Sequence, residues 1–440
     1  MNDDVIRRCI LEFYEVGLPE YVRRDADVPT LKDTVTTIVG GRKVGKTYRT
    51  YQFIGEAIQA GLIPSLEHVC YLHFDDERLL EMQTADLRRI DEVFLELSRA
   101  TAKTGLLFVF DEIHRIPDWE YFALRLKRNP NWHVLVTGSS AELEEGKVGR
   151  QLRGKTVTVR LAPLSFREFL RFKGEEPQRS RYSTSAVAKL NGLLGEYMET
   201  GCYPAAVGLA PAVRRELLRQ YFNSIVAADF VDRLEVKHPL SCKLFLRNLL
   251  HGNACPYTHK KARNNLASIG HPLAPNTITD WFSAAQDSYL IGTCAIHSSS
   301  VKRREQNYRK PYAIDWAMAR IVSDFAEPRV SRILEALVYW QLRRSGLLVS
   351  YDLVGPDKHE VDFVVAESGK LPHQAIQVCV DLSDATVAER EERAFAQLAD
   401  RLGPEIEPLI ITLRKPPAGA RLRMPVVRAW DWLLNRQPVL

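Results

Sequence analysis

Residues 40–47 read Gly-Gly-Arg-Lys-Val-Gly-Lys-Thr, directly after the apolar run Val35–Val39 and before the helix-compatible stretch Tyr48–Ala60. An apolar strand, a glycine-containing turn and a helix in that order commit this part of the chain to an α/β layer with a phosphate-binding loop at the strand end. The glycines let backbone N–H groups curl toward phosphate oxygens, and the following helix adds the positive end of its dipole. On this reading Gly40, Gly41, Arg42, Lys43, Val44, Gly45 and Tyr48 belong to the cradle. Lys46 reaches the β- and γ-phosphates of ATP, and the Thr47 hydroxyl ligates Mg²⁺.

A second acidic motif narrows the chemistry. The buried-strand pattern Leu106–Phe110 ends in Asp111-Glu112. Asp111 is expected to hold Mg²⁺, directly or through water, and Glu112 to polarise an attacking water, which favours ATP hydrolysis over transfer to a metabolite. The next apolar run, Val134–Thr137, offers Thr137 as a γ-phosphate contact, with Ser139 as second choice. Arg150 and Arg153 follow in the stretch Gly149–Lys155. Either could bring positive charge to the γ-phosphate; if it came from a neighbouring copy, a homo-oligomer would be required. A basic surface loop is the alternative. Asp75, Asp76, Glu77 and Arg78 follow the Val69–Phe74 strand and either line the cleft or form a solvated loop. Asp111-Glu112-Ile113-His114 also spells a helicase-like D-E-x-H box, but residues 165–300 do not read as the second lobe such enzymes need. His114 is therefore read as an incidental neighbour.

At 440 residues the chain exceeds what one core usually supports, so two or three domains are expected. No apolar run approaches the roughly 18 residues that span a bilayer. The acidic start Met1–Asp4 lacks a signal-peptide layout, and the seven scattered cysteines form no C-x-x-C pair, which points to a reduced, cytoplasmic protein without a membrane partner. The net charge of +5 is uneven: residues 241–320 hold 11 Lys/Arg against 4 Asp/Glu. That surplus suggests either contact with an anion such as DNA or a solvated basic face.

Apolar runs alternate with helical segments from about residue 33 to 160: Val35–Val39, Val69–Phe74, Leu106–Phe110, Val134–Thr137 and Val157–Leu161, preceded by a helix over Val5–Arg24. The alternation predicts a parallel α/β sheet. A mostly helical stretch follows from Ser165 to about Asp232. The tail repeats an α/β pattern, with a helix over Ile333–Arg344 and strands over Leu347–Leu353, Val361–Val365, Ala375–Val380 and Leu409–Leu413.

Taken in order, several stretches resemble a prokaryotic family of AAA-type ATPases with a restriction-endonuclease-like C-terminal domain. They are Gly40–Thr47, Tyr71–Leu79, Asp111–Trp119, Thr137–Ser140, Leu152–Lys155, Pro163–Phe169, Gly201–Pro204 and Tyr312–Asp315. The resemblance implies an α/β P-loop NTPase core with a central parallel sheet over residues 1–164 and a helical lid over 165–238. It further implies a winged-helix-like segment over 239–329 and a PD-(D/E)xK-like α/β domain over 330–440. In the winged-helix segment Asn276–Tyr289 would be the recognition helix, with Thr277 and Asp280 at capping-box spacing. That helix carries no Lys or Arg, so the positive stretch Val301–Lys310 would be the wing and would suit DNA-backbone contact. A winged helix used only for packing within the chain fits equally.

A nuclease of the PD-(D/E)xK type places a helix glutamate, a strand aspartate and a (D/E)-x-K strand around a metal. Glu335 and Asp362 match the first two. Gln377 stands where an acid belongs and Cys379 where the lysine belongs; Lys358 or Lys370 would have to migrate to replace it. A neutral amide is a poor Mg²⁺ ligand and a thiol does not supply an ammonium's charge, so loss of cleavage is expected. The leading expectation is an ATPase whose nucleotide state governs its C-terminal modules, with a protein partner as a further expectation. An ATP-dependent DNA nuclease in mobile-element or phage conflict and an ATP-switched DNA-binding regulator are the alternatives.

Overall fold

The computed structural model describes residues 3–435 except 31–32, 102, 139–153, 178–181, 307, 324–329, 355–358 and 417–423. The chain divides into two compact units, Met1–Pro163 and Leu164–Leu440.

The first unit holds a five-stranded parallel sheet. Its strands are β1 (Val35–Val39), β2 (Val69–His73), β3 (Leu106–Asp111), β4 (Trp132–Gly138) and β5 (Thr156–Arg160). They lie in the order β2-β3-β4-β1-β5. Every residue of β1 and β3 is buried, as expected for strands covered on both faces. Because β4 lies between β1 and β3, its last residues adjoin both the phosphate loop and the acidic strand end; Ile38 pairs with Thr137 in register. The N-terminal helix covers Asp3–Val16 rather than reaching Arg24. Gly17 stops it at φ 70°, its N–H bonded to Phe13 O at 3.0 Å, and Pro19 follows.

The second unit opens with helices Phe166–Phe172, Thr184–Thr200 and Pro211–Ile225, the last running into a wide turn over Val226–Asp232. Three helices, Pro239–His251, His259–Ser268 and Pro275–Asp287, then lead to the antiparallel pair β6 (Ile291–Ile296) and β7 (Lys310–Ala313). Two expectations need correction here. The third helix starts at Pro275, whose fixed φ suits a first helical position, so Thr277 lies inside the helix and forms no cap. The stretch expected as an exposed wing instead forms a short helix, Val301–Gln306, and enters β7, where Lys310 is buried.

The tail contributes the helix Val330–Arg344 and strands β8 (Leu348–Val354), β9 (His359–Ala366), β10 (Gln374–Cys379), β11 (Glu407–Thr412) and β12 (Val426–Arg428). These strands and the β6–β7 hairpin make one seven-stranded sheet in the order β12-β11-β10-β9-β8-β6-β7, with Ala295 of β6 opposite Ser350 of β8. One sheet therefore crosses the boundary expected at 329/330. The pairing was not legible locally, because β6 and β8 are far apart in sequence.

A buried carboxylate ties two distant stretches of this unit together. Asp315 has no solvent exposure and accepts the N–H groups of Cys202 and Met318, each at 2.6 Å. Burial raises its pKa above the ordinary aspartate value. Gly201 makes the approach possible: its φ is 84°, and a Cβ there would fall 2.4 Å from Asp315 Oδ2. Gly201→Ala is expected to cost about 2–4 kcal/mol through backbone strain and the clash with a buried carboxylate. The measurement is the urea unfolding midpoint of the full chain, and an unchanged midpoint would contradict the packing described.

Candidate functional site

The phosphate loop leaves β1 at Val39 and enters the helix Lys46–Gln59. Gly40 has no room for a side chain, since a Cβ would lie 2.4 Å from Leu161 O. Gly45 caps the helix at φ 99° and Lys43 sits at φ 62°, so the turn uses left-handed backbone at two positions. The Lys46 side chain is only 7% exposed and folds over the loop, its Nζ donating to Gly40 O at 3.3 Å and Gly41 O at 3.4 Å. The same ammonium lies 3.5 Å from Glu112 Oε1. The lysine expected to bind phosphate and the carboxylate expected to polarise water thus lie side by side.

Asp111 is fully buried at the end of β3. The chain turns sharply after it, with Glu112 in the left-handed region at φ 57°. That conformation is uncommon for a residue with a Cβ and aims the two adjacent carboxylates differently. Thr137 links them: its hydroxyl donates to Asp111 Oδ1 and accepts the Glu112 N–H at 3.1 Å. Tyr71 OH donates to Asp111 Oδ2 at 3.2 Å, and His73 Nε2 lies 3.5 Å from the same oxygen. Burial, reinforced by the nearby Asp111, pushes the Tyr71 phenol far up, so it stays a donor. His114 lies beside the site, with Nδ1 3.3 Å from Glu112 Oε2.

The structure therefore brings Lys46, Asp111, Glu112 and Thr137 together. Thr47 is half-buried at the helix start, and Tyr48 is exposed. Arg42 is half-buried and Lys43 exposed on the loop, while Val44 is buried beneath it. Ser139, Arg150 and Arg153 lie outside the described residues. Two acids of the run after β2 are held in ion pairs: Asp75 with Arg115, and Asp76 with Arg78 at 2.7 Å, which holds the Asp76 carboxyl below its usual range.

Sequence reasoning missed Arg24. Its guanidinium donates to Val44 O at 2.8 Å and Ala162 O at 2.6 Å, bracing the loop from below. Its backbone is held by Gln52, with Arg24 N–H to Gln52 Oε1 at 2.8 Å and Gln52 Nε2 to Arg24 O at 3.0 Å. An arginine 16 positions before Gly40, one of the pair Arg23-Arg24, carries no spacing signal that could have identified it.

The nuclease-like residues of the tail also converge. Glu335 projects from the helix Val330–Arg344, Asp362 from β9 and Gln377 from β10. Asp362 N–H donates to Gln377 Oε1 at 3.2 Å, and Asp362 Oδ2 accepts the Val378 N–H at 2.8 Å. Cys379 is buried and its thiol is pushed up to about 12 by burial, so it provides neither charge nor a nucleophile. Lys370 is exposed and pairs with Glu367 at 2.6 Å, and Lys358 lies outside the described residues. The ammonium that reaches the acids is that of Lys310, with Glu360 as a further carboxylate beside it. Lys310 is therefore not available to DNA, contrary to its expected place in the wing.

Residues 32–170 match a family described as an AAA domain, and residues 191–329 match one described as a domain of unknown function (DUF8612). The uncharacterized protein MJ1544 of Methanocaldococcus jannaschii is 30% identical over 395 residues, covering 89% of this chain and 85% of that protein. An uncharacterized protein of Haemophilus influenzae is 24% identical over 354 residues, covering 80% and 84% respectively. Among solved structures, the Walker-type ATPase PABY2304 of Pyrococcus abyssi is similar at a TM-score of 0.39 and 15% identity, covering 73% of this chain and 95% of that one. AMPPCP-bound DnaA of Aquifex aeolicus is similar at a TM-score of 0.29 and 14% identity, covering 63% and 86%. The chain belongs to the same family as MJ1544, and its residues 32–170 are similar to an AAA domain.

Lys46 is the residue expected to carry nucleotide recognition at this loop. ATP with Mg²⁺ is expected to raise the melting midpoint of the full chain, since a ligand at about 100 times its Kd adds about 2.7 kcal/mol. Lys46→Ala should abolish that rise. A variant still stabilised by ATP to the same degree would remove Lys46 from the site.

Proposed function

We propose that the chain binds ATP with Mg²⁺ at the Gly40–Thr47 loop, hydrolyses the nucleotide, and uses that cycle to govern the segments after residue 164. The observation that supports this best is the 3.5 Å approach of Lys46 Nζ to Glu112 Oε1 at the mouth of the glycine loop. A carboxylate beside the strand-end aspartate suits hydrolysis, where it can polarise the attacking water, better than transfer to a metabolite.

The donor set suits Mg²⁺, a hard cation that prefers oxygen ligands: the Thr47 hydroxyl and the buried Asp111 carboxylate are of that type. Mg²⁺ held by Thr47 and Asp111 would supply positive charge against the phosphates. The chain's own residues do the rest. Lys46 exchanges the carbonyls of Gly40 and Gly41 for phosphate oxygens. Glu112, released from Lys46, accepts a hydrogen bond from water and aims it at the γ-phosphorus. Thr137 holds Asp111 and the Glu112 backbone in register while this happens, and either Arg150 or Arg153 adds charge at the γ-phosphate, in cis or from a neighbouring copy.

Glu112→Gln keeps the side chain's size but removes the base. It is expected to retain ATP-dependent stabilisation while phosphate release falls by roughly 10²-fold or more; retained turnover would displace Glu112 from this role. Turnover that rises with protein concentration, and that Arg150→Ala or Arg153→Ala lowers, would identify the arginine and the oligomer together. Turnover unchanged from wild type in both variants would dismiss the arginine assignment.

A second reading concerns DNA. Lys302 and Arg304 are exposed on the short helix Val301–Gln306, and the Pro275–Asp287 helix beside the hairpin in sequence carries no Lys or Arg. Such a layout favours backbone contact without base readout. The Lys302→Ala, Arg304→Ala double variant is expected to weaken duplex binding and to reduce the slope of log K against log salt by about two. An unchanged slope would leave this face without a nucleic-acid role. Cleavage by the tail is not proposed, because Gln377 and Cys379 replace the acid and the lysine of the cleavage motif and the Lys310 ammonium is held by Glu335 and Glu360.

A further inference from the structure

The tail retains acids that its lost cleavage motif no longer explains. Glu335, Glu360 and Asp362 place one carboxylate oxygen each within 4.8 Å of one another, close enough to share a cation. Three carboxylates at that spacing cannot all be ionised without positive charge among them. That charge is already in place. Lys310 enters from β7, is 1% exposed, and sets its Nζ 2.6 Å from Glu335 Oε1, 2.7 Å from Glu360 Oε1 and 3.9 Å from Asp362 Oδ1.

We infer that Lys310 is the resident cation of this pocket, standing where a divalent metal would stand and closing the site to one. The competition is for lone pairs. A divalent cation needs carboxylate oxygens at about 2.0–2.6 Å, and the Lys310 ammonium already engages the oxygens of Glu335 and Glu360 that would turn inward. Tyr312 OH adds a second donor to Glu335 Oε1 at 2.7 Å, leaving that oxygen still less to offer. The ammonium also lies 5.7 Å from the centre of the Tyr351 ring, so an aromatic face covers the cation from a third direction. Burial works against the charged lysine, but Glu335, Asp362 and Glu360 outweigh it and raise its pKa above the ordinary lysine value.

The arrangement assigns the acids a purpose that does not involve phosphodiester cleavage. They hold β7, an edge strand of the seven-stranded sheet, against the helix Val330–Arg344 and β9. The basic residue at the end of the 301–310 stretch is thereby an internal counter-ion, which separates its role from that of the exposed Lys302 and Arg304.

Mn²⁺ titration of the nucleotide-free full chain, followed by electron paramagnetic resonance, tests this directly. Wild-type protein is expected to bind no Mn²⁺ at this pocket at about 0.1 mM free metal, in the range of ordinary carboxylate sites. Lys310→Met keeps much of the side chain's length without the charge and should gain one equivalent, together with a Mn²⁺-dependent rise in melting midpoint. Adding Glu335→Gln to that variant should remove the gain. Lys310→Arg, which keeps a cation, should remain metal-free like the wild type. One equivalent bound by the wild-type chain and lost in Asp362→Asn would overturn the inference, as would a folded Lys310→Met protein that gains none. Should Lys310→Met fail to fold, the wild-type and Asp362→Asn titrations decide the matter alone.

Discussion

The ammonium of Lys46 is the joint on which the proposed chemistry of the first unit depends. It satisfies two carbonyls of the glycine loop and faces a carboxylate of a strand two places away in the sheet. That reach is possible only because β4 lies between the loop strand and the acidic strand, with Thr137 at its end bonded to both Asp111 and the Glu112 backbone. Arg24 fixes the other side of the loop by capping Val44 and Ala162 carbonyls. Without these braces the lysine would be a flexible side chain on a flexible turn, and its entropy would oppose any fixed geometry.

Both units place a lysine against carboxylates, and the contrast in distance gives the two pairs different roles. Lys46 stands 3.5 Å from Glu112, whose side chain is 19% exposed, so the contact is loose and open to replacement by a stronger anion. Lys310 is held at 2.6 and 2.7 Å by two carboxylates and is almost wholly removed from water. Breaking a buried pair of the second kind leaves uncompensated charge, a cost of about 3–5 kcal/mol, whereas a partly exposed pair is worth about 1 kcal/mol or less. The first arrangement suits a site that exchanges partners during a cycle, and the second suits a permanent fastening.

Much of the first unit was legible because its signals are local. The strand before Gly40, the Asp111-Glu112 ending and the alternation of apolar runs all follow from residues within one element of each other. The end of the first helix at Val16 was also present in the sequence, as Gly17 and Pro19, but was outweighed by apolar spacing that continued past it. What escaped was long-range. Tyr71 and His73 meet Asp111 across a strand pair, and Arg24 reaches the loop from an irregular stretch. Lys310 was read as part of a basic surface run because its neighbours are basic; only the pairing of β6 with both β7 and β8 carries it to the acids. In the tail, Glu335, Asp362 and Gln377 were found from their pattern, while the cation that balances them came from outside the pattern.

The central claim is that the Lys46–Glu112 cleft hydrolyses ATP rather than only binding it. Steady-state phosphate release by the wild-type full chain, with Mg²⁺ and with the metal chelated by EDTA, tests that most directly. The account predicts saturable release with Mg²⁺ that disappears on chelation. Tight ATP binding with no phosphate release under either condition, in the presence or absence of duplex DNA, would contradict it.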